Sequence, residues 1–171
     1  PGAATDVLRP PRAARRVGFD ATHFEREINK GLREVIGVYS AIFRERPDLD
    51  AALHTHSPYL LAHAIAHKDF EINYWSVAKR AGVERIPLGD WAPRYDPDPV
   101  IKSLRQHPAA PAVLLRNRGL FTWGSKGLIE VAKLLNSLEE AAEIGVYARI
   151  LGGAQSLPAG ALDTFLAKRK G

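Results

Sequence analysis

The chain has 171 residues, of which 46% are hydrophobic and 25% charged, and its formal net charge is +5. This apolar fraction is ordinary for a globular protein, so a largely disordered chain is excluded and one folded domain is predicted. The absence of cysteine excludes disulfides, thiolate metal sites and a cysteine nucleophile. No run of about 18 apolar residues occurs, so the sequence predicts no membrane segment and a cytoplasmic protein.

The beginning of the chain is basic and rich in proline and alanine. We predict an arm or linker over residues 1–19 and a folded domain over residues 20–171. The arm carries four arginines, namely Arg9, Arg12, Arg15 and Arg16. A basic arm can neutralise phosphates, but no aromatic residues interleave with these arginines. The pattern therefore favours a solvated arm, and neither nucleic acid nor membrane is predicted as a partner.

Helical and strand patterns alternate through the rest of the chain. The apolar periodicity predicts helices over residues 30–46, 58–67, 98–106, 126–151 and 158–168. Short apolar runs predict strands over residues 51–54, 84–88, 112–115 and 119–123. The second helix begins with Ser57 as the predicted N-cap, followed by Pro58. Strands that lie between helices indicate an α/β layered domain.

Two histidines, His54 and His56, lie at the end of the first of these strands. Side chains at positions i and i+2 of a strand point to the same face, so both imidazoles can converge on one ion. Neutral imidazole binds zinc, and also iron, copper or nickel. The pair is the strongest candidate for a metal site, and two surface histidines at a strand end are the alternative.

A second histidine pair, His63 and His67, lies four residues apart on the next predicted helix and would share one of its faces. The HExxH zinc motif needs a glutamate directly after the first histidine, and this chain has Ala64 there. A zincin-type metalloprotease is therefore excluded, and the pair is interpreted as part of a partly exposed helix face.

Among the carboxylates, Glu34 near the start of the first helix is a candidate general base. By sequence alone it is one of many helical glutamates. Glu139, Glu140 and Glu143 lie on the long helix and are predicted to form its solvated face.

Three segments together resemble the class II aldolase/adducin family, which includes fuculose-phosphate aldolase and ribulose-phosphate 4-epimerase. They are RERPDLDAALHTHSPYLLAHAIAH, AVLLRNRGLFTWG and LEEAAEIGVYARILGGA, and the resemblance covers about residues 31–154. It implies an α/β fold, a three-layer αβα domain around a mostly antiparallel sheet. It further implies a homotetramer with active sites between subunits. The N-terminal part of the family fold is not recognisable in residues 1–30.

The resemblance also implies roles for individual residues. His54 and His56 match the HxH motif that holds a divalent metal in this family, zinc or alternatively iron. Glu34 matches the upstream glutamate that helps to bind the metal or acts as the base.

One position departs from the family pattern, because the Asn-His-Gly motif reads Asn117-Arg118-Gly119 in this chain. A guanidinium group has no lone pair to donate, so Arg118 cannot replace the third histidine ligand. Its fixed charge also weakens the binding of a neighbouring cation. A carboxylate, water or substrate oxygen would have to complete the metal shell. As an alternative role, Arg118 can contact the carboxylate or phosphate of an anionic substrate.

The resemblance therefore implies a lyase. The leading hypothesis is a metal-dependent aldolase or decarboxylase that acts on a small oxo or hydroxy acid, or on a sugar phosphate, through an enediolate. The stretches WAPR and GGAQSLPAGALD resemble an actinobacterial branch of the family. That branch implies a first alternative, an iron-dependent oxygenase-like enzyme of aminocoumarin antibiotic biosynthesis. A second alternative is a non-catalytic, adducin-like binding protein, in which a change such as Arg118 would be expected.

Overall fold

A five-stranded sheet runs through the middle of the computed structural model, which describes residues 6–8, 30–93 and 96–168. Its strands lie in the order β1-β2-β7-β6-β5, and only β5 and β6 are parallel neighbours. They are β1 (Asp6–Leu8), β2 (Ala51–Thr55), β5 (Leu88–Gly89), β6 (Ala112–Leu115) and β7 (Gly119–Gly124). A separate antiparallel ribbon joins β3 (Phe70–Glu71) to β4 (Arg85–Ile86).

Helices cover both faces of this sheet. They are α1 (Lys30–Glu45), α2 (Pro58–Ile65), α3 (Trp75–Ala81), α4 (Asp98–Gln106), α5 (Leu128–Ile150) and α6 (Ala161–Lys168). A hydrophobic core lies on each side of the sheet, and alternate residues of β6 pack into one or the other. Val113 and Leu115 pack in the core that α1 and α4 form, whereas Ala112 and Leu114 pack with α2, α3 and α5. The fold class predicted from the sequence, three αβα layers around a mostly antiparallel sheet, is therefore confirmed.

The predicted strand over residues 84–88 is wrong as one element. The segment divides at Pro87, with β4 in the ribbon and β5 in the main sheet. Proline has no N–H with which to continue a ladder, and here its carbonyl accepts a hydrogen bond from Leu114 N at 2.9 Å. Periodicity also missed α3, which is only seven residues long and ends at Gly82, where φ is +73°.

Three residues of the predicted arm form β1 and pair with β2. The four arginines of the arm lie outside the described residues. Among the described residues, no helix combines the length and apolar character that a membrane crossing requires.

Candidate metal and anion site

The register of β2 against β7 sets the position of His54, because it places His54 opposite Phe121. The imidazole is 3% exposed and stacks on the Phe121 ring, with centroids 4.2 Å apart. Its Nδ1 lies 3.0 Å from the carbonyl oxygen of Leu120. A carbonyl oxygen only accepts, so Nδ1 carries the proton, and the neutral ring directs its Nε2 lone pair toward the strand end.

His56 lies just beyond the end of β2, exposed to solvent. Its Nε2 is 3.2 Å from Nε2 of His54, and the two rings meet edge to face. Two nitrogens bound to one tetrahedral zinc at 2.0–2.1 Å would be about 3.3 Å apart. The two imidazoles therefore fit neighbouring positions in the shell of a single ion.

Burial lowers the pKa of His54 to about 4. The neighbouring His56 lowers this pKa further, the hydrogen bond to Leu120 raises it, and the charge of Arg118 lowers it again. His54 is therefore neutral around pH 7, which is the protonation state that a metal ligand requires.

Arg118 lies in the three-residue turn that joins β6 to β7, on the same side as the histidine pair. The side chain is half-buried, and its Nη2 donates to the carbonyl oxygen of Ala92 at 3.2 Å. The guanidinium carbon lies 5.8 Å from the centre of the Trp91 ring. The positive charge of Arg118 therefore acts on the imidazole of His54, while its guanidinium contacts the Ala92 carbonyl and the Trp91 ring.

Gly119 begins β7 directly against the end of β2. Its φ is +123°, and a Cβ on this residue would overlap the carbonyl oxygen of Thr55 and lie 3.2 Å from Cδ2 of His56. Only glycine combines this backbone angle with such a close approach. Gly119 thereby lets the turn that carries Arg118 reach the histidine pair.

The first turn of α2, next to the site, is capped from a distant helix. Ser57, the predicted N-cap, instead hydrogen-bonds through its hydroxyl to Thr55 Oγ1 at 2.8 Å. The Glu139 carboxylate of α5 accepts from the backbone N–H groups of Tyr59 and Leu60, at 2.9 and 3.0 Å. A carboxylate at a helix N-terminus satisfies otherwise unpaired donors and interacts favourably with the helix dipole.

The prediction of a solvated glutamate face on α5 is therefore wrong for Glu139, and also for Glu143. Glu143 accepts hydrogen bonds from the hydroxyls of Tyr59 and Tyr147, at 3.1 and 3.0 Å. Glu140 is exposed, as predicted. The partial burial of Glu139 and Glu143 follows from their position opposite α2, which the sequence of α5 alone does not reveal.

The second histidine pair does not share a helix face, contrary to the prediction. The helix ends at Ile65, and His67 has a left-handed φ of +52°. Lys68 N donates to His63 O at 3.0 Å and His67 N to Ala64 O at 3.4 Å, which is the pattern of a Schellman cap. The His67 ring then donates through Nε2 to Asn117 Oδ1 at 2.7 Å.

Glu34 lies in α1, one residue before Val35, which is buried in the core on the α1 side of the sheet. Its side chain lies outside the described part of the structure, so its role as general base stays a prediction. Within the described residues, no group of three or more histidine and carboxylate side chains is placed to hold a metal. Among the described residues, the imidazoles of His54 and His56 are therefore the groups placed together where an ion could bind.

Comparison with known proteins defines the family. Residues 16–146 match the family model described as the class II aldolase and adducin N-terminal domain, so the chain belongs to the class II aldolase/adducin family. No curated protein sequence matches the chain significantly.

Solved structures share the fold at low sequence identity. An L-fuculose 1-phosphate aldolase superposes with a TM-score of 0.69 at 20% identity, over 81% of this chain and 64% of that one. YgbL from Escherichia coli, a putative aldolase/epimerase/decarboxylase, superposes with a TM-score of 0.64 at 23% identity, over 77% of this chain and 64% of that one. The L-fuculose-1-phosphate aldolase of Thermus thermophilus superposes with a TM-score of 0.61 at 21% identity, over 77% of this chain and 69% of that one. The chain therefore spans about two thirds of the length of these proteins.

Proposed function

We propose that the chain is a lyase of the aldolase or decarboxylase type that acts on a small oxo or hydroxy acid, or on a sugar phosphate. The observation that carries this proposal is the 3.2 Å approach of the His54 and His56 Nε2 atoms at the end of β2. Membership of the class II aldolase/adducin family supports it, as does the positive charge of Arg118 beside the pair.

His54 and His56 would hold a divalent ion, with zinc as the proposed metal. Such an ion polarises a carbonyl oxygen and stabilises the negative charge that develops when a bond to the adjacent carbon breaks. The Leu120 carbonyl keeps the proton of His54 on Nδ1, so that Nε2 would be the atom that binds the ion. Substrate or water oxygens would complete the shell.

Arg118 would bind the carboxylate or phosphate of the substrate. Its guanidinium carries a positive charge and offers several parallel donors. The contacts with Ala92 and Trp91 hold the group near the imidazoles, so the anionic end of the substrate would lie beside the metal ligands. Glu34 is proposed as the base that moves the proton.

Replacing one imidazole tests the ligand assignment. We expect His56→Ala to weaken zinc binding by more than about 100-fold, because loss of a ligand exceeds the 10–100-fold effect of a supporting contact. The fold should persist, since His56 is exposed and lies beyond β2. Zinc content after dialysis, measured by mass spectrometry, reports the loss.

His107→Ala is the matched control, because His107 is also exposed but lies at the end of α4. Zinc retained at full stoichiometry in His56→Ala would place the ligands elsewhere, with His63 and His67 tested next.

An iron-dependent oxygenase of the kind implied by the actinobacterial resemblance is the second candidate. It rests on the two imidazoles, to which Glu34 would add a carboxylate, because Arg118 supplies no ligand atom at the third position. Two histidines and one carboxylate are the ligand set of many non-haem iron oxygenases. Iron in the purified protein together with oxygen-dependent turnover would favour this candidate over the lyase. A protein that binds no metal would favour the adducin-like binding role.

We further propose that the chain assembles as a homotetramer. The C-terminal end of α5 and Leu151, which follows the helix, support self-association because they expose several apolar side chains. These are Ile144, Tyr147, Ile150 and Leu151, with exposures of 45, 51, 79 and 88%.

The assembly prediction is tested by light scattering at micromolar concentration. We expect a tetramer for the parent and a smaller species for Ile150→Glu, because a charge among these side chains opposes their burial. Ile129→Glu is the control, since Ile129 is 71% exposed at the other end of the same helix. A monomeric parent would contradict both the assembly and a site shared between subunits.

A further inference from the structure

An open cleft of about 690 Å³ lies at the opposite end of α2 from His56. We name it the α2–α5 cleft, because its walls come from the C-terminal ends of α2 and α5 and from the β3–β4 ribbon. Its lining includes the histidines His63 and His67 and the cationic residues Lys68, Arg85 and Arg149. Its volume is within the range of about 300–1,000 Å³ that is usual for small-molecule sites.

The charges of the cleft favour an anion. Its two carboxylates, Asp69 and Glu71, both lie 3.4 Å from the guanidinium of Arg85. Asp69 also accepts a hydrogen bond from Leu88 N at 3.0 Å. Lys68 and Arg149 make no ion pair with a carboxylate of the described residues. Among the described residues, the cleft thus has three cationic side chains and two carboxylates. Arg85 pairs with both carboxylates, so Lys68 and Arg149 can contact a ligand.

The histidines give the cleft a defined wall. The ring of His63 meets the ring of Phe70 edge to face, with centroids 5.2 Å apart. Burial lowers the pKa of His63. The ring of His67 is held by its hydrogen bond to Asn117. His67 occupies a left-handed position at which glycine is strongly preferred, and such strained residues concentrate at functional sites.

We propose that the α2–α5 cleft binds a small phosphorylated molecule, whose phosphate group Lys68 and Arg149 contact. Lysine and arginine together supply charge and directed donors for phosphate oxygens. The volume is several times larger than a phosphate group needs, so the cleft leaves room for an organic part such as a sugar. This site is distinct from the one at His54 and His56, and its occupation does not depend on the proposed lyase activity.

The experiment is a calorimetric titration of the full chain with ribose 5-phosphate, and with ribose as the probe that lacks phosphate. We expect ribose 5-phosphate to bind and ribose not to bind. Arg149→Gln should weaken binding by about tenfold or more, since one charge-assisted hydrogen bond contributes about this much. Both Lys68 and Arg149 are exposed, so neither replacement should affect folding.

Two further variants make the assignment specific. Arg80→Gln removes an exposed guanidinium of α3 outside the cleft and should leave the affinity unchanged. Arg118→Gln separates this cleft from the histidine site and should also leave binding in the cleft intact. The proposal is overturned if ribose binds equally well, if Arg149→Gln and Lys68→Gln both bind like the parent, or if only Arg118→Gln loses binding.

Discussion

Arg118→His is expected to bind zinc at least about tenfold more tightly than the parent chain. The substitution removes a fixed positive charge from beside the ion and adds an imidazole in the turn that faces His54 and His56. We expect a gain in zinc affinity of this size because even the loss of a supporting contact changes metal affinity by about 10–100-fold. Competition titration with a chromophoric chelator measures the two affinities.

Arg116→His is the matched control for this prediction. It also introduces an imidazole into the β6–β7 turn, but the Arg116 guanidinium pairs with Asp90 at 3.1 Å instead of facing the histidine pair. If Arg118 also holds the anionic end of the substrate, Arg118→His should bind zinc better while losing affinity for an anionic ligand. Equal zinc affinity in the parent and Arg118→His would mean that position 118 does not face the site.

Gly119→Ala is expected to lose more than about 3 kcal/mol of unfolding free energy. The added methyl group would overlap the Thr55 carbonyl oxygen, and the φ of +123° is unfavourable for any side chain. Backbone strain and overpacking each cost about 1–3 kcal/mol. Urea unfolding monitored by circular dichroism gives the change in stability.

Gly82→Ala is the control that separates the cost of backbone strain from the cost of steric overlap. Gly82 also has a positive φ, +73°, but nothing lies within 4 Å of a Cβ built there. Its replacement should cost only about 1–2 kcal/mol, the usual penalty for a left-handed residue. If Gly119→Ala is no more harmful than Gly82→Ala, the strands do not approach at Gly119 as closely as described.

Local patterns predict much of the fold. The predicted helix over residues 30–46 is α1, and the predicted strand over residues 112–115 is β6, because each element buries its own regular apolar pattern. The spacing of His54 and His56 is enough to predict that their rings lie close together, as they do. Their service as metal ligands, and Glu34 as the base, stay predictions.

What the sequence could not reveal depends on contacts between distant segments. A solvated face is predicted for Glu139 because its partners, the first N–H groups of α2, lie about 80 residues earlier in the chain. A helical position is predicted for His67, although the helix ends at Ile65 and His67 is itself the left-handed residue of the Schellman cap. The α2–α5 cleft is formed by three elements, so no single motif marks it.

The strand order also has a consequence for the folding pathway. The β6–β7 hairpin closes through a three-residue turn, so its pairing is local and is expected to form early. His54 and Leu120 are 66 residues apart in sequence, so the docking of β2 against β7 costs the larger loop-closure entropy. In a chain that has formed this hairpin, Arg118 is therefore already in its turn. His54 and His56 reach their positions only when β2 docks against β7.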